Sequence, residues 1–282
     1  MIRQVAKNIA LQLPAIRRII RQRDEALARM AELEMRVAVP AGSFAGKLPD
    51  TPYIVLPGTE YARYAIPLDY LPSRALRPRW GETQPVIAPL AEWMGAHDDA
   101  YRIILAEMQA AAPRLAAIPQ EFRHDRPEPA WNGVPFAPFD SAALYTLVGH
   151  YKPRLYLEIG SGVTTAFAHR SIRDHGLATR IVSIDPQPRA AIDAICDEVV
   201  REGLETCDPK IFDSLQAGDI LFLDGSHRSF MNSDVTVFMI DVLPRLKPGV
   251  IVHVQDILLP WDYLDLFINR YWSEDNILAA YL

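Results

Sequence analysis

Residues Leu155 to Gly162 read LYLEIGSG and run on into VTTAFAHR, and this stretch constrains the rest of the chain more than any other. Leu155, Tyr156, Leu157 and Ile159 form the short apolar run of a strand buried on both faces. Gly160-Ser161-Gly162 follows as a turn almost without side chains, and Thr164 or Thr165 can cap a helix running towards Asp174. A buried strand, a glycine turn and a helix N-terminus together offer backbone N–H groups to a ligand. The missing Cβ atoms let that ligand approach the main chain.

From Asp140 onward the pattern repeats. Asp140 or Ser141 caps a helix through Leu144 and Leu147 that ends at Lys152-Pro153. Strand 154–159, helix 164–175, strand 180–185 and helix 188–202 come next. A short strand near Leu204, strand 219–224, helix 230–245 and strand 249–256 complete the series, and Ser273 caps a last helix. Strands alternating with helices of this length predict right-handed βαβ units, hence an α/β fold with a parallel sheet and helices on both faces. Ligands of such sheets lie beyond the carboxyl ends of the strands, where Gly160, Asp185, Asp224 and Asp256 all fall.

The preceding residues differ. Residues 1–38 carry an apolar stripe at helical spacing, from Ile16 and Ile20 to Leu33 and Val37, which predicts an amphipathic helix packed on its own domain or on a partner chain. Fifteen of the 23 prolines lie between Pro40 and Pro138, so 39–139 reads as loops and short elements forming a cap or substrate region, with one helix near His97–Ala112. Arg74, Arg77, Arg79, Tyr70 and Trp80 concentrate there, as surface stacking or as part of an acceptor pocket. The core then spans 140–282.

A net charge of −6 gives no electrostatic reason to expect a nucleic-acid partner. Cys196 and Cys207 lack metal-ligand spacing and a disulfide framework, no apolar run reaches membrane-spanning length, and a cytoplasmic protein is expected.

The glycine spacing is that of the dinucleotide fingerprint, except that Thr165 stands at the third glycine. A nicotinamide enzyme needs that position small beneath a pyrophosphate; S-adenosylmethionine has none. Asp185, ending the apolar run Ile181–Ile184, is placed to accept ribose hydroxyls. Asp224 ends a strand in Asp224-Gly225-Ser226-His227, and Gln255-Asp256 ends the next. Carboxylates closing two neighbouring strands can share a cation such as Mg²⁺, and His227 can take a proton from an acceptor hydroxyl. His253, inside an apolar strand, is expected to belong to the core or to stand behind the site residues.

LEIGSGVTT, SIDPQPR, GDILFLDGSHRSFMNSDV and LPRLKPGVIVHVQDILLPWDY, in this order, resemble a bacterial family of class I S-adenosylmethionine-dependent methyltransferases. The resemblance covers about Asp140 to Leu282 and implies the Rossmann-like methyltransferase sheet. It implies that Gly160, Ser161 and Gly162 cradle the methionine end with Thr164 beside them, that Glu158 orients it, and that Asp185 holds the ribose. Glu205 and Thr206 fall where such folds contact adenine. Related enzymes with a DGSH turn are metal-dependent sugar O-methyltransferases. By that likeness Asp224, Asp256 and Gln255 stand at the metal, and His227 with Asp224 at the chemistry. O-methylation of a small sugar-like or natural-product hydroxyl is the expected reaction. The alternatives are a nicotinamide-dependent enzyme and an inactive cofactor-binding assembly module.

Methyltransferases of this type follow the fifth strand with two more, and these closing strands are absent from the sequence. Strand 249–256 is therefore expected to form an edge covered by residues 1–38, by 39–139 or by a second copy, which makes a homo-oligomer possible.

Overall fold

The computed structural model describes residues 53–54, 66–67, 77–81, 85–123, 126–133, 136–188 and 191–282. The chain divides into two compact units, Met1–Leu76 and Arg77–Leu282. In the first, Tyr53–Ile54 pairs antiparallel with Ile66–Pro67. The helix expected over 1–38, and Tyr70 and Arg74, lie outside the described residues.

The second unit opens with helices α1 (Ala88–Gly95), α2 (Asp98–Ala110) and α3 (Ala112–Ala116). The break between α2 and α3 falls just before Pro113, as expected from its missing N–H. Helix α4 (Pro138–Tyr151) leads into β1 (Leu155–Ile159), α5 (Val163–His175), β2 (Arg180–Ile184) and β3 (Glu198–Val200). Strand β4 (Ile220–Leu223), helix α6 (Asp234–Val237), β5 (Ile251–Val254), α7 (Asp265–Ile268) and α8 (Glu274–Tyr281) follow.

All five strands are parallel, in the order β3-β2-β1-β4-β5. Chain order reverses between β1 and β4, and that switch point is where open α/β sheets bind ligands. Strand alternation divides the core in two. Tyr156, Ile181, Ile220 and Phe222 pack with Leu144, Val148 and Phe167 from α4 and α5 on one face. Leu157, Val182, Leu221 and Leu223 pack with Leu204, Phe212, Val235 and Phe238 on the other. This is the Rossmann-like arrangement of a methyltransferase sheet. At the opposite strand ends, buried Asp219 accepts hydrogen bonds from the Leu155 and Gln216 amides (2.8 and 2.9 Å) and from Arg154, tying the start of β1 to that of β4.

Four local expectations are corrected. The helix expected over 188–202 is not found among the described residues of that range: a 3₁₀ turn, Asp193–Ile195, precedes β3. Pro186 and Pro188 hinder a helix start, and β-branched Val199-Val200 extends the sheet instead. The short strand is thus at 198–200, and Leu204 is a buried residue of the following turn. The expected 230–245 helix begins only at Asp234, capped by the Ser233 hydroxyl, because Asn232 adopts a left-handed φ of 58°. It passes into a π turn (Phe238–Val242) and a 3₁₀ turn around Pro244, which has no N–H for a regular turn. Helix α4 starts at Pro138 with Asp140 in its first turn, so neither Asp140 nor Ser141 caps it. Strands β4 and β5 are also shorter than 219–224 and 249–256.

Candidate active site

The glycine turn joins β1 to α5 at the switch point. Gly160 has φ +81°, and a Cβ there would collide with the Asp224 carbonyl, so the ends of β1 and β4 touch through their backbones. Around Gly162, by contrast, a Cβ would meet nothing within 4 Å, so the turn leaves space beside that residue. Gly162 is the N-cap of α5, and its N–H donates to Thr165 Oγ1 at 3.0 Å. The larger residue at the third fingerprint position thus closes the cap, while the Thr164 hydroxyl donates to Glu158 Oε1. Ser183 donates to Ser161 at 2.8 Å and links the turn to β2.

Glu158 is fully buried beneath this turn. Burial pushes its pKa up to about 8, against the opposing hydrogen bonds from Thr164 and Thr165. Its Oε2 makes no hydrogen bond of normal geometry, although the Tyr156 hydroxyl is close enough to favour its charge. A buried carboxylate oxygen left in this state suits a cationic or hydrogen-bond-donating ligand.

Asp185 ends β2, half-buried, and its Oδ1 accepts the Gln187 N–H at 2.7 Å. Arg201, beyond β3, donates to the Asp185 carbonyl at 3.0 Å and pairs with Asp193. Glu205 lies exposed in the turn after β3, its carboxylate folded over Gly203.

Beyond β4 and β5 stands a second group. Asp224, His227 and Asp256 each direct one donor atom into a space where these atoms lie within 4.8 Å of one another. His227 Nε2 is 3.4 Å from Asp224 Oδ1 and 3.8 Å from Asp256 Oδ2. On the other side of the ring, Nδ1 is 2.9 Å from Glu274 Oε2. Trp272 stacks on the imidazole at 3.9 Å. His227 and Asp256 both adopt left-handed backbones, with φ of 60° and 58°, a cost that side chains with local duties commonly carry. Burial opposes a charge on His227, but Glu274, Asp224 and Asp256 outweigh it and raise its pKa. Gln255 is buried, and its Nε2 donates to Asp140 at 3.4 Å and Asp256 at 3.1 Å. The pKa of Asp140 is raised by burial and by the charge of Asp256. His253 packs edge-on against Phe222 and is half-buried in β5, and desolvation lowers its pKa to about 4.

Asp224, His227 and Asp256 are thus brought together, while Glu158, Gly160–Gly162 and Asp185 line the neighbouring strand ends. Sequence reasoning missed Glu274, Trp272 and the attachment of Asp140 to Gln255. An acid in the first turn of α8 is expected for the helix dipole alone, so nothing in the sequence marked Glu274 as a histidine partner.

Residues 157–257 match a family model described as a methyltransferase domain. No curated protein and no solved structure matches the chain. The matched segment opens within β1 and closes one residue after Asp256, so it contains the glycine turn, Asp185 and the Asp224–His227–Asp256 group. Asp140 and Glu274 lie outside it. Fold and match together support a methyltransferase enzyme.

Proposed function

We propose that the chain transfers a methyl group from S-adenosylmethionine to a hydroxyl of a small, sugar-like or natural-product acceptor. The observation that carries this reading is His227 Nε2, presented between Asp224 and Asp256 at the switch point beside the glycine turn. The cofactor fits the residues present: Gly162 leaves open space and Glu158 offers an unsatisfied buried oxygen. Gly160, Ser161 and Gly162, with Glu158 and Thr164, would hold its methionine end, Asp185 its ribose and Glu205 its adenine side. Bound there, the cofactor supplies a methyl group already activated on a sulfonium.

The protein's work is then alignment and proton removal. His227 Nε2 takes the hydroxyl proton, and Asp224 and Asp256 stabilise the resulting imidazolium. Asp224 and Asp256, the latter braced by Gln255, would also hold a divalent cation such as Mg²⁺, which lowers the pKa of a bound hydroxyl. Exposed Phe139, Phe230, Met231 and Trp261 stand on the segments carrying Asp140, His227 and Asp256, which favours an acceptor with an apolar portion. Free Cys196 and Cys207 suit a reducing cytoplasm, and among the described residues no helix is long and apolar enough to cross a membrane.

Calorimetry with S-adenosylhomocysteine and with a nicotinamide dinucleotide should show binding of the first alone. In turnover assays on a panel of glycosides and related hydroxyl compounds, His227→Ala should lose on the order of 10²–10⁴ in kcat with little change in cofactor affinity. EDTA in the same assay tests the cation: a loss of turnover that Mg²⁺ restores shows that it is used, and no effect shows a metal-free mechanism. Binding of the dinucleotide instead would overturn the reading.

A further inference from the structure

The contact between His227 and α8 reaches outside the segment matched to the methyltransferase domain. Glu274 is completely buried, and of its two oxygens only Oε2 has a hydrogen-bond partner, His227 Nδ1 at 2.9 Å. The surrounding backbone fixes the pair. The Ser273 N–H donates to the His227 carbonyl at 2.9 Å, the Ser229 N–H to Ser273 Oγ at 3.0 Å, and Arg228 Nε to the Arg270 carbonyl at 2.9 Å. Trp272 covers the ring face. Ser273 stands at the N-cap of α8, but its hydroxyl serves the His227 loop and does not cap the helix.

Acceptors therefore compete for the ring protons from opposite sides. Glu274 is at hydrogen-bond length from Nδ1, whereas Asp224 and Asp256 stand 3.4 and 3.8 Å from Nε2. A neutral ring in this setting carries its proton on Nδ1, and its Nε2 lone pair opens onto the strand ends. Without Glu274 no described partner holds the proton on Nδ1, and a ring protonated on Nε2 can accept none.

We propose that Glu274 is a positioning residue that selects the Nδ1–H tautomer of His227 and aims Nε2 at the acceptor hydroxyl. This makes α8 part of the active site, and it rests on the reading of His227 as the base.

The full-length protein labelled with ¹⁵N in the histidine rings tests it, with the His227 signals assigned by their loss in His227→Asn. At a pH high enough to neutralise the ring, the wild type should show a protonated Nδ1 and an unprotonated Nε2. Glu274→Gln keeps the shape but not the fixed charge and should move proton density to Nε2. Glu274→Met should complete that move. Turnover should fall about 10- to 100-fold in Glu274→Gln, with acceptor KM and cofactor affinity within about threefold of wild type. A wild-type ring protonated on Nε2 overturns the proposal without any variant, as does unchanged turnover in Glu274→Gln with an unchanged spectrum. If His227→Ala retains turnover while the wild-type tautomer is as stated, the assignment of His227 as base fails instead.

Discussion

Glu158 and Asp185 are proposed to hold the two parts of one ligand, and their surroundings make them respond differently. Glu158 has its folded pKa raised from 4.5 to about 8, chiefly by burial. Its protonated form is favoured in the folded state, so the associated stability is complete below about 4.5 and is lost as pH rises through about 8. Glu158→Gln should therefore unfold at a higher temperature than wild type at pH 9 and at nearly the same temperature at pH 4. Thermal unfolding followed across this range checks it, and equal midpoints at pH 9 would contradict the buried, strained carboxylate. Asp185 is half-buried, and its loss should be felt in binding. Asp185→Ala removes hydrogen bonds from ribose hydroxyls to a charged acceptor, each worth about 1.5–3 kcal/mol, so affinity for S-adenosylhomocysteine should fall at least tenfold. Unchanged calorimetry would remove Asp185 from the site. Asp185 was visible in the sequence because it closes an apolar run, whereas Glu158 lies inside one and entered only through the family resemblance. Glu274 was not visible, since its partner lies 47 residues away and only packing brings them together.

Strand β5 is the element with an unsettled side. Among the described residues it pairs only with β4, and Val252 is exposed. The Ile251 and Gln255 amides donate to the Asp219 and Leu223 carbonyls, so by strand alternation the Val252 and Val254 amides face away from β4. Such an edge invites another segment or chain. We expect it to be covered, by residues of 1–139 or by a second copy, and the Val252 and Val254 amides to exchange slowly with deuterium. Rapid exchange at both, with Ile251 and Gln255 protected, would show a bare edge. Strands β1, β2, β4 and β5 were legible because parallel sheets write their buried strands as mainly apolar runs. The segment 188–202 was misread because Ile192, Ile195 and Val199 recur at helical steps, while β3 has only three residues, too short to show a period of its own. The helix after β4 was read too long because Asn232, Ser233 and Pro244 override its apolar spacing.

For the molecule as a whole, charge and layering point the same way. With a net charge of −6, the protein should leave RNA and DNA oligonucleotides unretarded in gels at physiological salt, and a salt-sensitive shift would argue for a different partner. The layered sheet brings the glycine turn and the Asp224–His227 turn to one edge from strands that are neighbours in space but separated in sequence by more than sixty residues. Their junction is the contact of Gly160 with the Asp224 carbonyl, reinforced by the Asp224 N–H donating to Ile159 at 2.9 Å. That contact bears on how the sequence can be recombined. A chimera taking residues 155–162 from one parent and 220–227 from another must match both backbones at that point. Any side chain larger than hydrogen at 160 would wedge the turns apart and misalign the proposed cofactor and acceptor halves together. Crossovers that keep the two stretches from the same parent should therefore yield active hybrids far more often than crossovers that separate them.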